Sequence, residues 1–139
     1  MMNKSLTCAI LVLFIVTGCS KKDDPATPSI VGTWVTTSAT TSACEDPNDN
    51  GTEICASSCN VYEYKADGTG TITNSSGTLA TFTYSVSGTT LTTTVTYAGG
   101  GAPASGTYQI TVTATTLTRV YEDAASGGLC TFTWTYARQ

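Results

Sequence analysis

"TFTYSVSGTTLTTTVTY", residues 81–97, sets large apolar side chains against hydroxyl side chains at alternate positions. Phe82, Tyr84 and Val86 interleave with Thr81, Thr83 and Ser85, and Leu91, Val95 and Tyr97 with Thr92, Thr94 and Thr96. A period of two puts one set on a buried face and the other in water, which is the signature of a half-buried strand. Threonine suits the wet face: its branched Cβ fits a pleated surface and its hydroxyl keeps that surface soluble. Between the two runs, Ser87-Gly88-Thr89-Thr90 supplies a turn, so the stretch reads as a hairpin.

The same alternation recurs on both sides. Tyr108, Ile110 and Val112 alternate with Thr107, Gln109, Thr111 and Thr113; Phe132, Trp134 and Tyr136 alternate with Thr131, Thr133 and Thr135. An Asp-Gly turn in "ADGTG" (66–70) joins "VYEYK" to "TITN", and "NSSG", "YAGGGAPASG" and "DAASGG" punctuate the later runs. No stretch shows a helical period. Eight strands are expected, at about 31–38, 60–66, 69–74, 79–86, 90–97, 106–113, 116–122 and 130–137. Consecutive hairpins make an all-β, up-and-down antiparallel meander, and closing eight strands into a barrel removes its exposed edges. A β-sandwich would use the same pattern and stands as the alternative.

Upstream of the first strand the chemistry changes. Lys4 precedes the apolar run "CAILVLFIV", and "TGC" ends at Cys19: a basic start, a short apolar core and small residues describe a signal peptide over residues 1–18. The run is shorter than the roughly 20 residues a membrane span needs. "VTGC" resembles the bacterial lipobox, which implies cleavage before Cys19 and acylation of its thiol and new amine. The cut leaves 121 residues, one domain by length. Acyl chains then anchor the protein to a membrane without a transmembrane helix. Residues 19–29, with two prolines and no apolar period, form a flexible tether. Within it, Lys21-Lys22-Asp23-Asp24 resembles the export signal of surface lipoproteins in the Bacteroidota, which implies an outer-membrane, surface-exposed location.

Charge and composition exclude several functions. The mature chain carries ten acidic and five basic residues, so nothing in it offers the basic patch that nucleic acid requires. It has no histidine, which removes the usual general base and the commonest metal ligand. Glu63, Asp67, Glu122 and Asp123 fall on strands or turns without pairing as acid and base. No glycine-rich phosphate loop leads into a helix. Neither an enzyme nor a cofactor is expected.

Four cysteines remain beyond Cys8 and Cys19: Cys44, Cys55, Cys59 and Cys130. An even number in an exported domain implies two disulfides. The intervening lengths of 10, 3 and 70 residues do not form paired zinc knuckles. The expected bridges are Cys44–Cys55, closing an acidic loop, and Cys59–Cys130, joining the entries of the second and last strands. That loop, "CEDPNDNGTEIC", begins like a calcium loop, with Asp46, Asn48 and Asn50 as ligands and Gly51 at the sixth position. The twelfth position is Ser57 where a bidentate glutamate belongs, so only a weak site using Glu53 is open. The turn-forming residues otherwise read as a stapled loop.

Gly32-Thr33-Trp34 opens this eight-stranded meander as the GxW signature opens a lipocalin. The order "VGTW", "YEYKADGTGTIT", "YSVSGTTLT" and "YQITVTATTLTRVYE", after a lipobox and short tether, resembles the lipocalin-like domain lipoproteins of the Bacteroidota over residues 30–139. The resemblance implies that Trp34 plugs one end of the barrel under an arginine from a late strand. Arg119 is the candidate, sharing a face with Leu117 and Tyr121; the other parity would turn Val120 inward and put Arg119 in water. The large candidates for the interior are Tyr62, Tyr64, Phe82, Tyr84, Tyr97, Tyr108, Tyr121, Phe132, Trp134 and Tyr136. An eight-stranded barrel is either filled by side chains or holds one small ligand. The aromatic set therefore forms a packed core or lines a pocket for a small apolar or amphipathic molecule. The other reading is a filled barrel that presents its loops to a protein or glycan.

Overall fold

A computed structural model describes residues 28–123 and 129–139 of the chain. The expected signal peptide, Cys19 and most of the tether lie outside the described residues. Among the described residues there are nine strands: β1 (Gly32–Ser42), β2 (Gly51–Ile54), β3 (Val61–Tyr64), β4 (Thr69–Asn74), β5 (Gly77–Ser87), β6 (Thr90–Tyr97), β7 (Ala104–Val112), β8 (Thr116–Asp123) and β9 (Cys130–Arg138). Each of β3 to β8 pairs antiparallel with the next strand, and β1 pairs with both β3 and β9. The β1–β9 ladder runs from Trp34↔Arg138 to Ser42↔Thr131 and closes β1 and β3–β9 into an eight-stranded barrel. That closure decides against the sandwich.

β2 was not expected. It pairs only with the outer half of β1, from Ser38↔Ile54 to Thr41↔Gly51, and every residue in it is exposed. A strand with no buried face leaves no alternation to read. β1 is correspondingly longer than expected and serves two partners: its first residues pair with β3, its later ones with β2. A bulge at Thr37 separates the two halves. Thr37 Oγ1 donates to the Thr135 carbonyl at 3.0 Å, and the Thr37 carbonyl accepts from Cys55 N–H at 2.9 Å. The extra residue bends the strand and keeps Trp34, Thr36, Ala39 and Thr41 on one face.

Directly paired residues share a face, so the registers sort the interior. Trp34 pairs with Tyr62, Phe82 with Val95, Ile110 with Arg119, and Leu117 with Tyr136. The end of the barrel where β1 begins is filled. Trp34, Leu91 and Leu117 have no exposed surface, and Tyr64, Ile72, Ile110 and Tyr136 are buried around them. The opposite end carries segments 43–60 and 98–103, and its inward residues are only partly covered. The barrel thus has a packed floor and an open mouth.

Candidate functional site

Trp34 is the floor. Its indole N–H donates to the Ile30 carbonyl at 2.7 Å, which pulls the incoming chain under the barrel. The cation stacked on it is Arg138, whose guanidinium carbon stands 4.2 Å from the ring centroid, and not Arg119 as the resemblance implied. The register explains the correction: Trp34 lies directly opposite Arg138, while Arg119 enters a layer higher, opposite Ile110 and Trp134. Arg138 also donates to the Ser29 and Val31 carbonyls at 2.7 and 3.1 Å, fastening the N-terminal segment to the closed end. Gly32 makes room for it. A Cβ there would stand 2.7 Å from Arg138 Nη1, and the residue's φ of 135° lies where side chains are rarely tolerated.

Arg119 does point inward and is 7% exposed. Its guanidinium lies 3.9 Å from the Tyr108 ring centroid and within 6 Å of Tyr62 and Tyr136, and Nη1 donates to the Tyr136 hydroxyl at 3.4 Å. No carboxylate pairs with it among the described residues, where the one ion pair is the surface contact Lys65–Glu63. Burial works against its charge, but the oxygens of Tyr136, Tyr64, Tyr108 and Tyr62 outweigh that and hold its pKa above the ordinary guanidinium value. Burial also pushes the Tyr64 hydroxyl up to about 12, against the opposing pull of Arg119. Tyr136 and Tyr62 are raised for the same reason. Arg119, Tyr62, Tyr64 and Tyr108, together with Phe82, Thr93, Val95 and Tyr97, line a half-open chamber of about 100 Å³.

Nine of the ten aromatics fall into two groups. Tyr62, Tyr64, Phe82, Tyr84 and Tyr136 pack as tilted and edge-to-face pairs with centroids 5.0–6.5 Å apart. Tyr84 ties this group to the β3–β4 turn by donating its hydroxyl to the Lys65 carbonyl at 2.6 Å. Tyr108, Tyr121, Phe132 and Trp134 form the second group, nearer the mouth. Phe132 and Trp134 stack at 6.1 Å with planes 19° apart, and Tyr121 lies within 35° of both. Tyr97 is 53% exposed at the rim. Above the first group, Trp134 and Tyr62 border a second cavity of about 520 Å³, walled by Thr36, Ala39 and the segment 53–60.

That wall is held by the cysteines, in a pairing other than the one expected. Cys44 bonds Cys130, and Cys55 bonds Cys59. The β1–β9 ladder ends at Ser42↔Thr131 and so delivers Cys44 beside Cys130, with Cα atoms 4.2 Å apart. The acidic loop is therefore not closed on itself. Asp46 caps the 3-10 turn Pro47–Asp49, its carboxylate accepting from Asn48 N–H and Nδ2 at 2.9 and 2.8 Å. Asn50 Oδ1 accepts from Cys44 N–H at 3.2 Å, and Glu53 sits exposed on β2. Asp46 Oδ1 and Asn50 Oδ1 are thus occupied within the loop, and no group of three or more acidic, cysteine or histidine side chains suited to a metal occurs among the described residues.

Sequence reasoning missed two interior residues, Arg138 and Thr93. Both were signalled by parity alone: Arg138 continues Phe132, Trp134 and Tyr136, and Thr93 lies between Leu91 and Val95.

The model of the lipocalin-like domain family matches residues 30–119, well over half of the chain. The chain belongs to the lipocalin-like domain family. No curated protein and no solved structure matches it. The matched stretch of this lipocalin-like domain runs from the residue that caps Trp34 to the buried arginine of β8, so it covers the floor and most of the chamber wall.

Proposed function

We propose that the protein is a lipid-anchored lipoprotein of the cell envelope whose barrel binds a small amphipathic ligand through its open mouth. The cavity of about 520 Å³ beside Trp134 and Tyr62 carries this reading, because it falls within the range of small-molecule sites and sits over aromatic side chains. The packed floor supports entry from one end only. The competing reading, a filled barrel that offers its loops to a protein or glycan, accounts for the floor but not for the partly covered rings of Tyr121, Phe132 and Trp134.

The sequence supports an outer-membrane location through "VTGC" and Lys21–Asp24. Arg138 fastens Ser29 and Val31 at the closed end, so lipid on Cys19 would turn the mouth away from the membrane. Protease shaving of intact cells should release the domain if it is surface-exposed, and retention of the intact chain would argue for the inner leaflet. Replacing Cys19→Ala should abolish labelling by a radioactive fatty acid.

Binding itself is tested with the neutral fluorescent reporter N-phenyl-1-naphthylamine. Saturable enhancement, weakened at least tenfold by Trp134→Ala, supports a mouth site. No saturable binding, or binding insensitive to Trp134→Ala, refutes it.

A further inference from the structure

The chamber beneath the mouth holds three buried polar atoms with no hydrogen-bond partner among the described residues: Arg119 Nε, the Tyr64 hydroxyl and Thr93 Oγ1. All three residues line the same cavity of about 100 Å³ and are at most 7% exposed. Tyr64 and Arg119 are close enough for the guanidinium to lower the Tyr64 pKa, but the Tyr64 hydroxyl and Arg119 Nε each lack a partner at hydrogen-bond geometry. Buried polar groups are nearly always paired, and a cluster of unpaired ones calls for a functional explanation.

The arrangement of the cation says what partner would suit. Tyr108 covers the guanidinium, with Tyr62 and Tyr136 at the edges of the cage, and π contacts of this kind stabilise positive charge. They do not occupy the N–H groups, which lie in the guanidinium plane. Of these, Nη1 reaches Tyr136 and Nε reaches nothing. An in-plane acceptor is missing, and a carboxylate is the planar, bivalent acceptor that matches a guanidinium edge. The Tyr64 and Thr93 hydroxyls add two rotatable donors.

Size and access narrow the ligand further. At about 30 Å³ per water-sized group, the chamber takes about three heavy atoms, enough for a head group and no more. Tyr62 lines both this chamber and the cavity of about 520 Å³ above it, so the two spaces adjoin at its ring. Gly106, directly opposite Thr93, contributes no side chain, and a Cβ there would press on the Tyr108 ring.

We propose that the Arg119 chamber is a carboxylate receptor, in which Arg119, Tyr64 and Thr93 hold the head group of an amphipathic carboxylic acid whose tail runs past Tyr62 to Trp134. This rests on the carrier reading above and gives it a ligand class. The chain supplies the positive charge and the ligand supplies the negative one, so the buried guanidinium is compensated only when the site is loaded.

The test is calorimetric titration of the full protein in phosphatidylcholine nanodiscs with octanoate and, separately, octan-1-ol, with protein-free nanodiscs as the blank. Octanoate should bind at one per chain and at least tenfold more tightly than the alcohol. Thr93→Val, Tyr64→Phe and Arg119→Met should each weaken octanoate by tenfold or more, the loss expected for a hydrogen bond to a charged group, and leave octanol within about twofold. Thr93→Val keeps the shape of the side chain, so it serves even if Arg119→Met does not fold. Equal binding of acid and alcohol, or an octanoate affinity unmoved by Thr93→Val, overturns the carboxylate assignment and leaves the carrier reading standing. Binding of neither probe overturns both.

Discussion

The two disulfides close loops of very different length, and the difference sets their worth. Cys44–Cys130 spans 86 residues of sequence and Cys55–Cys59 spans four. On the chain-entropy estimate, the long bridge is worth about 4.6 kcal/mol and the short one about 2 kcal/mol. A domain of this size has a total stability of about 5–15 kcal/mol. Cys44→Ser/Cys130→Ser should therefore remove a large share of the stability, and Cys55→Ser/Cys59→Ser a small one. The long bridge also clamps the end of the β1–β9 ladder that closes the barrel. Urea denaturation followed by fluorescence of buried Trp34 measures both losses. The pairing itself is read from a non-reducing digest with a protease that cuts after Glu45, Glu53, Glu63 and Glu122. The peptide 54–63 should appear alone with an internal bridge, and 123–139 should be joined to the peptide ending at Glu45. A single species joining all three would show one of the two other pairings, Cys44–Cys55 with Cys59–Cys130 or Cys44–Cys59 with Cys55–Cys130. That species, or equal stability losses in the two double variants, would refute the argument.

Arg138→Ala removes the stack on Trp34 and two bonds to the incoming chain, and should cost about 1–3 kcal/mol in urea denaturation; Arg119→Met should leave the Trp34 emission unchanged, whereas Arg138→Ala should shift it. Thr93→Val should not lower stability, because its hydroxyl has no protein partner to lose; a loss above about 1 kcal/mol would mean that the hydroxyl is bonded. Tyr64 titrates at its ordinary value near 10 when unfolded and near 12 when folded, so its contribution is complete below pH 10 and lost as pH rises towards 12. Two pKa units correspond to about 3 kcal/mol, and Tyr64→Phe should abolish that part of the alkaline decline. An identical decline in the variant would contradict the burial of this hydroxyl.

Period two told more here than any motif. Alternation in "TFTYSVSGTTLTTTVTY" and its neighbours correctly put Phe82, Val95, Tyr108, Trp134 and Tyr136 on the inner face, and consecutive hairpins gave the meander. Height along the barrel was not legible. Two arginines, Arg119 and Arg138, have inward parity on late strands, and only the register of β9 against β1 brings Arg138 to Trp34. The same register brings Cys44 to Cys130, a contact across 86 residues that local spacing does not encode. Proximity in sequence favoured closing the acidic loop, yet Cys55 found a nearer partner four residues on. Thr93 was hidden by its own chemistry, since a threonine among threonines reads as wet face. The candidate site combines both cases: its aromatic walls were visible in the pattern, and its three unpaired donors emerged only in three dimensions.

The central claim is that the barrel carries an amphipathic acid on Arg119. Native mass spectrometry of the protein extracted from its own envelope tests it most directly. The expected spectrum shows a stoichiometric small molecule that fragments as a carboxylic acid, retained by the wild-type protein and lost from Thr93→Val and Arg119→Met. The bare protein mass under every growth condition, or an adduct equally retained by both variants, would contradict it.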